Sequence, residues 1–201
     1  MSNNNSENAF DFIRGCVVDL DLKTGLSKKI STDKRMLSQM AGMFADDDAY
    51  KKLLAEGDRL VYEFHTMPVP SDPGDLAFGC SILYPGKVGD EYFFTKGHFH
   101  VPLDTCEVYY CLKGHGYMMC EDPEGDWRTF EMFPGQVVYV PKRYAHRSIN
   151  VNQNETLVTY YVFRADAGHD YGTIESKGYR KLMVEKEGVP TVSDNPKWKD
   201  I

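Results

Sequence analysis

The chain has 201 residues, 42% of them hydrophobic and 26% charged, enough apolar matter for one well-buried domain and too much for a disordered tail. Thirty acidic against 23 basic residues leave a net charge of −7, which argues against general nucleic-acid or anionic-membrane binding. No apolar run approaches the roughly 20 residues of a membrane span, and the opening MSNNNSENAF lacks the basic and apolar regions of a secretory signal.

After that Asn/Ser-rich start, a strand pair is expected over 14–20 and 26–30, turning at Lys23-Thr24-Gly25. The period then changes: Leu37, Met40 and Phe44 fall on one helical face. Asp46 or Asp47 can cap a second short helix through Tyr50, Leu53 and Leu54, with Gly57 ending it. From Arg59 onward the pattern is almost wholly β. Strands are expected at 60–66, 76–83, 91–95, 107–112, 117–121, 128–132, 136–140, 145–151, 156–163 and 179–185. Pro85-Gly86, Lys113-Gly114-His115-Gly116, Pro123-Glu124-Gly125-Asp126 and Pro134-Gly135 punctuate them. Many short strands at this spacing predict an all-β antiparallel sandwich or barrel, a jelly roll among the options. The expected organisation is a single structural domain. Residues 1–58 form an N-terminal extension with short strands and two helices, packed on a barrel over 59–201. Five cysteines, an odd number with no C-x-x-C pair, are expected as free thiols of a reducing cytoplasm.

The chemistry concentrates in four residues. His98 and His100 are two apart on a predicted strand, so their imidazoles share a face. Glu107 opens the next strand and His146 lies on a later one. Three imidazoles and a carboxylate suit a first-row divalent ion with positions left for water or substrate. An H-x-H pair alone is a weak signal, but here it sits in a framework of turns. One run reads Gly97-His98-x-His100-x6-Glu107-x6-Gly114, the other Pro134-Gly135-x5-Pro141-x4-His146-x3-Asn150.

These runs resemble the two cupin motifs, with a longer gap between His100 and Glu107 than the commonest pattern has. A closer resemblance, to the cupin-type, archaeal-like glucose-6-phosphate isomerase family, accounts for that gap. It is carried by Tyr84-Pro85-Gly86-Lys87-Val88-Gly89, by Phe93-Phe94-Thr95-Lys96-Gly97-His98-Phe99-His100, and by Glu107-Val108-Tyr109. It continues through Val138-Tyr139-Val140-Pro141, Ala145-His146-Arg147, Ala165-Asp166-Ala167-Gly168-His169-Asp170-Tyr171-Gly172 and Asp194-Asn195-Pro196-Lys197-Trp198.

The resemblance implies a cupin jelly-roll barrel with short N-terminal helices. It also implies one divalent metal held by His98, His100, Glu107 and His146, iron(II) by preference with manganese, zinc or nickel as substitutes. The implied activity is interconversion of glucose 6-phosphate and fructose 6-phosphate by a cytoplasmic homodimer. Thr95 and Gly97 match family positions at the substrate phosphate, and Ser81 stands where the family has threonine. Tyr62, Tyr109 and His169 match positions lining the sugar site. Phe163 occupies a family tyrosine position, so any hydroxyl role there is absent or passes to Tyr160, Tyr161 or a water.

Elementary chemistry agrees. Moving a carbonyl between C1 and C2 requires shifting a hydrogen and stabilising charge on the neighbouring oxygen. Glu107, the acidic member of the set, is the expected base through an enediol. In the rival hydride-shift route it is purely a ligand. Tyr109 shares its strand face and can bond a sugar hydroxyl. Lys96, Arg147 and N–H groups near Gly97 are expected at the phosphate. Two alternatives keep the same residues: an iron-dependent cupin dioxygenase, and a non-enzymatic sugar-phosphate-binding cupin. His65 and His115 are expected as structural or solvated groups, and Met36, Met40 and Met43 as helix packing.

Overall fold

The computed structural model describes residues 10–200. Alternating burial runs along most of this stretch and builds it into antiparallel strands. In chain order these are β1 (Asp33–Met36), β2 (Leu60–Thr66), β3 (Leu76–Leu83), β4 (Lys87–Val88), β5 (Glu91–Tyr92) and β6 (Phe99–His100). They continue with β7 (Glu107–Lys113), β8 (Gly116–Glu121), β9 (Trp127–Met132), β10 (Val137–Val140), β11 (Ala145–Asn150) and β12 (Leu157–Arg164). The last are β13 (His169–Asp170), β14 (Lys181–Lys186) and β15 (Val189–Asp194). Two helices complete the inventory, α1 (Asp47–Ala55) and α2 (Gly172–Lys177).

Six strands form the main sheet in the order β1-β2-β3-β12-β7-β10, and β11-β8-β9 form a second. A four-stranded sheet, β15-β14-β5-β4, and the short pair β13-β6 cover the flanks. Crossovers put β12 between β3 and β7, and β11 beside β8. This is a jelly roll, although its sheets do not merge into one closed ladder. Between them lies a core rich in aromatic and methionine side chains, including Phe44, Phe93, Phe94, Met118, Met119 and Met132. Phe44 meets Phe94 at 4.6 Å between ring centroids.

The N-terminal stretch differs most from its expected form. The turn at Lys23-Thr24-Gly25 exists, with Asp21 carbonyl accepting from Thr24 N–H at 3.2 Å and Gly25 N–H at 2.7 Å. Its flanks do not pair as strands. Instead Gly25 presses on the main sheet, where an added Cβ would come within 2.6 Å of Val158. Its carbonyl also lies 2.7 Å from His65 Nε2. Contact with the sheet's outer face thus replaces a local hairpin. The strand of this region is β1, which pairs with β2 and ties the extension into the main sheet.

The first expected helix shrinks to one 3-10 turn, Leu37–Met40. The chain leaves the helical path at Ala41 (φ −54°, ψ 133°) and turns further at Gly42, at φ +78°, before Phe44 is reached. The apolar stripe is buried all the same, Leu37 and Met40 fully and Phe44 almost so. In α1 the Asp46 carboxylate accepts from Asp48 and Ala49 N–H at 3.0 and 2.9 Å, a side-chain N-cap. Residues 91–95 form a strand only over Glu91–Tyr92, and Phe94 bridges Ile149 alone.

Candidate active site

The four candidate metal ligands converge. His100 sits in β6 and His98 just before it, where His98 forms an isolated bridge with His146 of β11. Glu107 is the first residue of β7. One donor atom from each lies within 4.8 Å of all the others, and all four side chains are buried. Glu107 Oε2 is 3.1 Å from His100 Nε2 and 2.8 Å from His146 Nε2. The shorter approach lacks hydrogen-bond alignment, so His146 Nε2 and His98 Nε2 are buried without a partner. Buried nitrogens facing one carboxylate without satisfying it are what a divalent ion would complete. The donor set therefore fits a metal.

Electrostatics around these groups point the same way. Burial alone would raise the Glu107 carboxyl, but the imidazoles of His146 and His100 outweigh it and hold Glu107 well below the usual carboxylate range. Burial pushes His98 far down, helped by His146 and His169, so it stays a neutral donor. The Tyr109 phenol is driven well up by burial and by the nearby Glu107 charge, and remains protonated.

A cleft of about 260 Å³ opens over this group. Strand periodicity explains its walls. Tyr62, Phe64 and Thr66 project from one face of β2, and Ser81 from β3. Glu107 and Tyr109 of β7 face Phe163 and Tyr161, their register partners on β12. His146 and Ser148 come from β11, Thr95-Lys96-Gly97 from the preceding loop, and His169 and Tyr171 from the rim. Tyr62, Ser81, Thr95, Gly97, Tyr109 and His169 thus share one cavity with His98, Glu107 and His146. His100 instead lines a neighbouring pocket with Phe99, Val101 and Leu103, and His169 borders both.

The polar groups of this wall are partly committed. Ser148 N–H donates to Thr95 Oγ1 at 3.0 Å, which leaves the Thr95 hydroxyl proton free. Lys96 pairs with Glu175 at 2.7 Å. Gly97 has φ +76° and its carbonyl-side neighbours are crowded: a Cβ there would collide with Tyr179 Oη and approach the His146 carbonyl at 2.9 Å. Burial followed by the His100 imidazole lowers the His169 pKa. His169 is exposed as a residue, and its ring packs on His98 at 4.3 Å and Phe163 at 5.1 Å.

Two expectations need correction. Arg147 does not face the cleft. It alternates with His146 along β11, and its guanidinium lies against the rings of Phe94 and Tyr179 at 4.2 and 4.3 Å. Tyr160 also points away, packing with Cys80, Ile82 and Val158. Tyr161 is the cleft tyrosine nearest in sequence to Phe163, but its hydroxyl already contacts Thr66 Oγ1 at 2.8 Å and donates to the His65 carbonyl at 2.9 Å. His65 and His115 are structural, as expected. His115 stacks on Phe133 at 4.4 Å and meets Glu131 at 2.8 Å. All five cysteines are free.

Sequence reasoning missed Phe64, Thr66 and Ser148 as lining residues, although a two-residue step from Tyr62 and from His146 would have found them. It also missed Arg35, register partner of Tyr62, whose guanidinium sits 5.3 Å from the Phe64 ring.

A jelly roll with a buried three-histidine, one-glutamate donor group at the base of a polar cleft defines a cupin with a candidate metal centre. Comparison with known proteins makes the assignment specific. A family model for glucose-6-phosphate isomerase (GPI) matches residues 34–199. The chain is 48% identical over 182 residues to glucose-6-phosphate isomerase of Thermococcus litoralis, covering 90% of this chain and 95% of that protein. It is 47% identical over 182 residues to the Pyrococcus furiosus protein of the same name, covering 90% and 96%. With that of Thermococcus kodakarensis the identity is 45% over 190 residues, covering 94% of this chain and all of the relative. The chain belongs to the glucose-6-phosphate isomerase family. No helix among the described residues is long and apolar enough to cross a membrane.

Proposed function

We propose that this chain is a metal-dependent aldose–ketose isomerase interconverting glucose 6-phosphate and fructose 6-phosphate, the activity named for its relatives. The observation that carries the reading is that Glu107 alone is acidic among the residues lining the cleft, at the base of a wall of hydroxyls and one lysine. A divalent ion held by His98, His100, Glu107 and His146, iron(II) by preference, would supply Lewis-acid polarisation of the sugar's C1 and C2 oxygens.

The remaining work falls to this chain's own groups. Glu107, kept ionised by its imidazoles, takes the proton from one sugar carbon and returns it to the other through an enediol. Tyr109, kept as a phenol, donates to a sugar oxygen beside it. The free Thr95 hydroxyl proton, the Gly97 backbone and the Ser81 hydroxyl receive the phosphate end, beside the Lys96 ammonium that Glu175 holds in place, while Tyr62 lines the sugar. His169 closes the rim as a neutral imidazole. Phe163 contributes shape without a hydroxyl.

We also read the protein as a homodimer. Val137 and Tyr139 are 61% and 57% exposed on β10, the edge strand of the main sheet. Phe130 and Phe133 are exposed close by in sequence. An apolar sheet edge of this kind needs a cover.

The test is a coupled assay of fructose 6-phosphate conversion on purified protein, with chelation and metal add-back. Activity should vanish on chelation and return with iron, manganese, nickel or zinc. No isomerisation with any of the four overturns the reading. Run in D₂O, the product should carry solvent deuterium, because the proton held on Glu107 exchanges with solvent in part of the turnovers before it is returned. No detectable deuterium under any condition would favour the hydride shift, with Glu107 a ligand only.

A further inference from the structure

A second cleft, of about 360 Å³, lies behind the loop that carries Thr95 and Gly97. Arg147, Lys177, Tyr179, Lys197, Trp198 and Lys199 are among its lining residues. Its charge runs against that of the whole chain. Four cations line it, Glu175 is the acidic residue among its lining side chains, and that carboxylate is engaged by Lys96 at 2.7 Å. Lys197 is spoken for by Asp47 at 2.6 Å. Lys177 and Lys199 make no ion pair within 4.0 Å among the described residues.

Arg147 is the strongest sign that something is missing. It is 3% exposed, and no carboxylate among the described residues comes within 4.0 Å of it. Its contacts are the Lys181 carbonyl at 3.1 Å, the Met119 sulfur at 3.6 Å and the two flanking aromatic rings. Its Nε has no partner, and neither do the buried Tyr179 hydroxyl and Trp198 indole N–H. Tyr179 Oη stands against Gly97, on the wall shared with the active-site cleft; the Arg147 Nε and Trp198 Nε1 orphans belong to residues of this cleft, and each costs desolvation without return. Aromatic faces hold the guanidinium in place, and the buried Glu91 and Glu121 carboxylates act on it at longer range without a direct ion pair. An anion with several acceptor oxygens supplies the acceptors that the orphaned donors lack and a partner for the cleft's unpaired lysines.

We infer that this cleft is a second binding site, for a phosphate-bearing small anion, separate from the active-site cleft. Phosphate oxygens match the chemistry on offer, fixed guanidinium and indole N–H donors beside mobile ammonium groups. The site is not a copy of the first. It contains no carboxylate–imidazole group, so it binds without reacting. The two share a wall, since Tyr179 packs directly behind Gly97. The inference does not depend on the isomerase reading, because its test measures binding alone.

Trp198 is a built-in reporter. In a Trp127→Phe background, the metal-loaded protein is titrated with inorganic phosphate, and with chloride at matched ionic strength. Phosphate should produce a saturable change in Trp198 emission that chloride does not. The double substitution Lys177→Gln with Lys199→Gln should weaken that phosphate response at least tenfold. These side chains lie at the surface of the cleft, so unchanged circular dichroism should accompany the loss. Ser81→Val, which alters only the active-site cleft, should leave the response intact. A non-saturable change equal for both salts overturns the site, as does a double variant that responds like its parent.

Discussion

His146 N–H donates to the His98 carbonyl at 3.2 Å, so two candidate ligand histidines from distant parts of the chain are joined through their backbones. Their rings then stand 4.6 Å apart, centroid to centroid. Strand pairing brings them together, and a site of this kind is expected to be organised before it is filled. His98→Ala should therefore lose metal while keeping native far-UV circular dichroism. A metal at 100 times its Kd stabilises by about 2.7 kcal/mol. Chelation should lower the Tm of the parent and leave that of His98→Ala unmoved. A variant that unfolds outright would show that the bridge needs the ion.

Glu107→Gln keeps size and shape but removes the charge that its imidazole neighbours face. Loss of a positioned acid–base group costs roughly 10²–10⁴ in rate, and kcat should fall by at least that range. Metal content, measured on the same samples by elemental analysis, should fall as well. Tyr109→Phe separates the two roles: its metal content should be unchanged while kcat/KM drops about tenfold, one hydrogen bond's worth. Full activity in Glu107→Gln would remove this residue from the mechanism.

Gly97 is fixed by two constraints at once, a φ of +76° and the side of Tyr179. Gly97→Ala should raise KM for the sugar phosphate and cost about 1–3 kcal/mol of stability, the range for a strained backbone position. Tyr179→Phe in the same chain relieves the collision with the hydroxyl but not the approach to the His146 carbonyl. The double variant should recover part of the lost Tm and no more. Complete recovery would mean that backbone conformation at this position is unimportant.

Much of this arrangement is legible in the sequence because the strands carry it. Period-two burial places Glu107 with Tyr109, and Tyr161 with Phe163, and the H-x-H pair announces the donor group. The N-terminal stretch is less legible. Residues 14–30 have turn chemistry and apolar alternation, yet their partner is the outer face of β3 and β12, which no local pattern reveals. The direction of Arg147 is illegible for a related reason. Both faces of β11 are buried, so burial carries no alternation there, and only the position of His146 tells which face meets the cleft. The orphaned donors of Arg147, Tyr179 and Trp198 come together through tertiary packing alone.

The exposed edge of the main sheet gives a test of assembly. Val137→Asp combined with Tyr139→Asp puts like charges on β10 without touching the core. Light scattering should find a dimer in the parent and a monomer in the variant. Activity measured at matched chain concentration should persist if the cleft is complete within one chain. A monomeric parent would contradict the homodimer reading.

Glu91 should set part of the pH dependence of stability. It is buried, and its Oε2 accepts from Ala45 N–H at 2.8 Å while Oε1 has no partner. Burial raises its pKa from 4.5 to about 7, against the pull of Arg147 and Lys197. Between those values the folded chain holds a proton that the unfolded chain has released, so stability falls as pH rises from about 4.5 to 7 and is level above. The full change is on the order of 3 kcal/mol. Glu91→Gln keeps the acceptor for Ala45 and gives Oε1's place to an amide that cannot ionise. The variant should match the parent near pH 5 and exceed it in Tm at pH 8, with the difference growing between the two. A difference that is constant across this range would show that Glu91 titrates at its ordinary pKa in the folded protein.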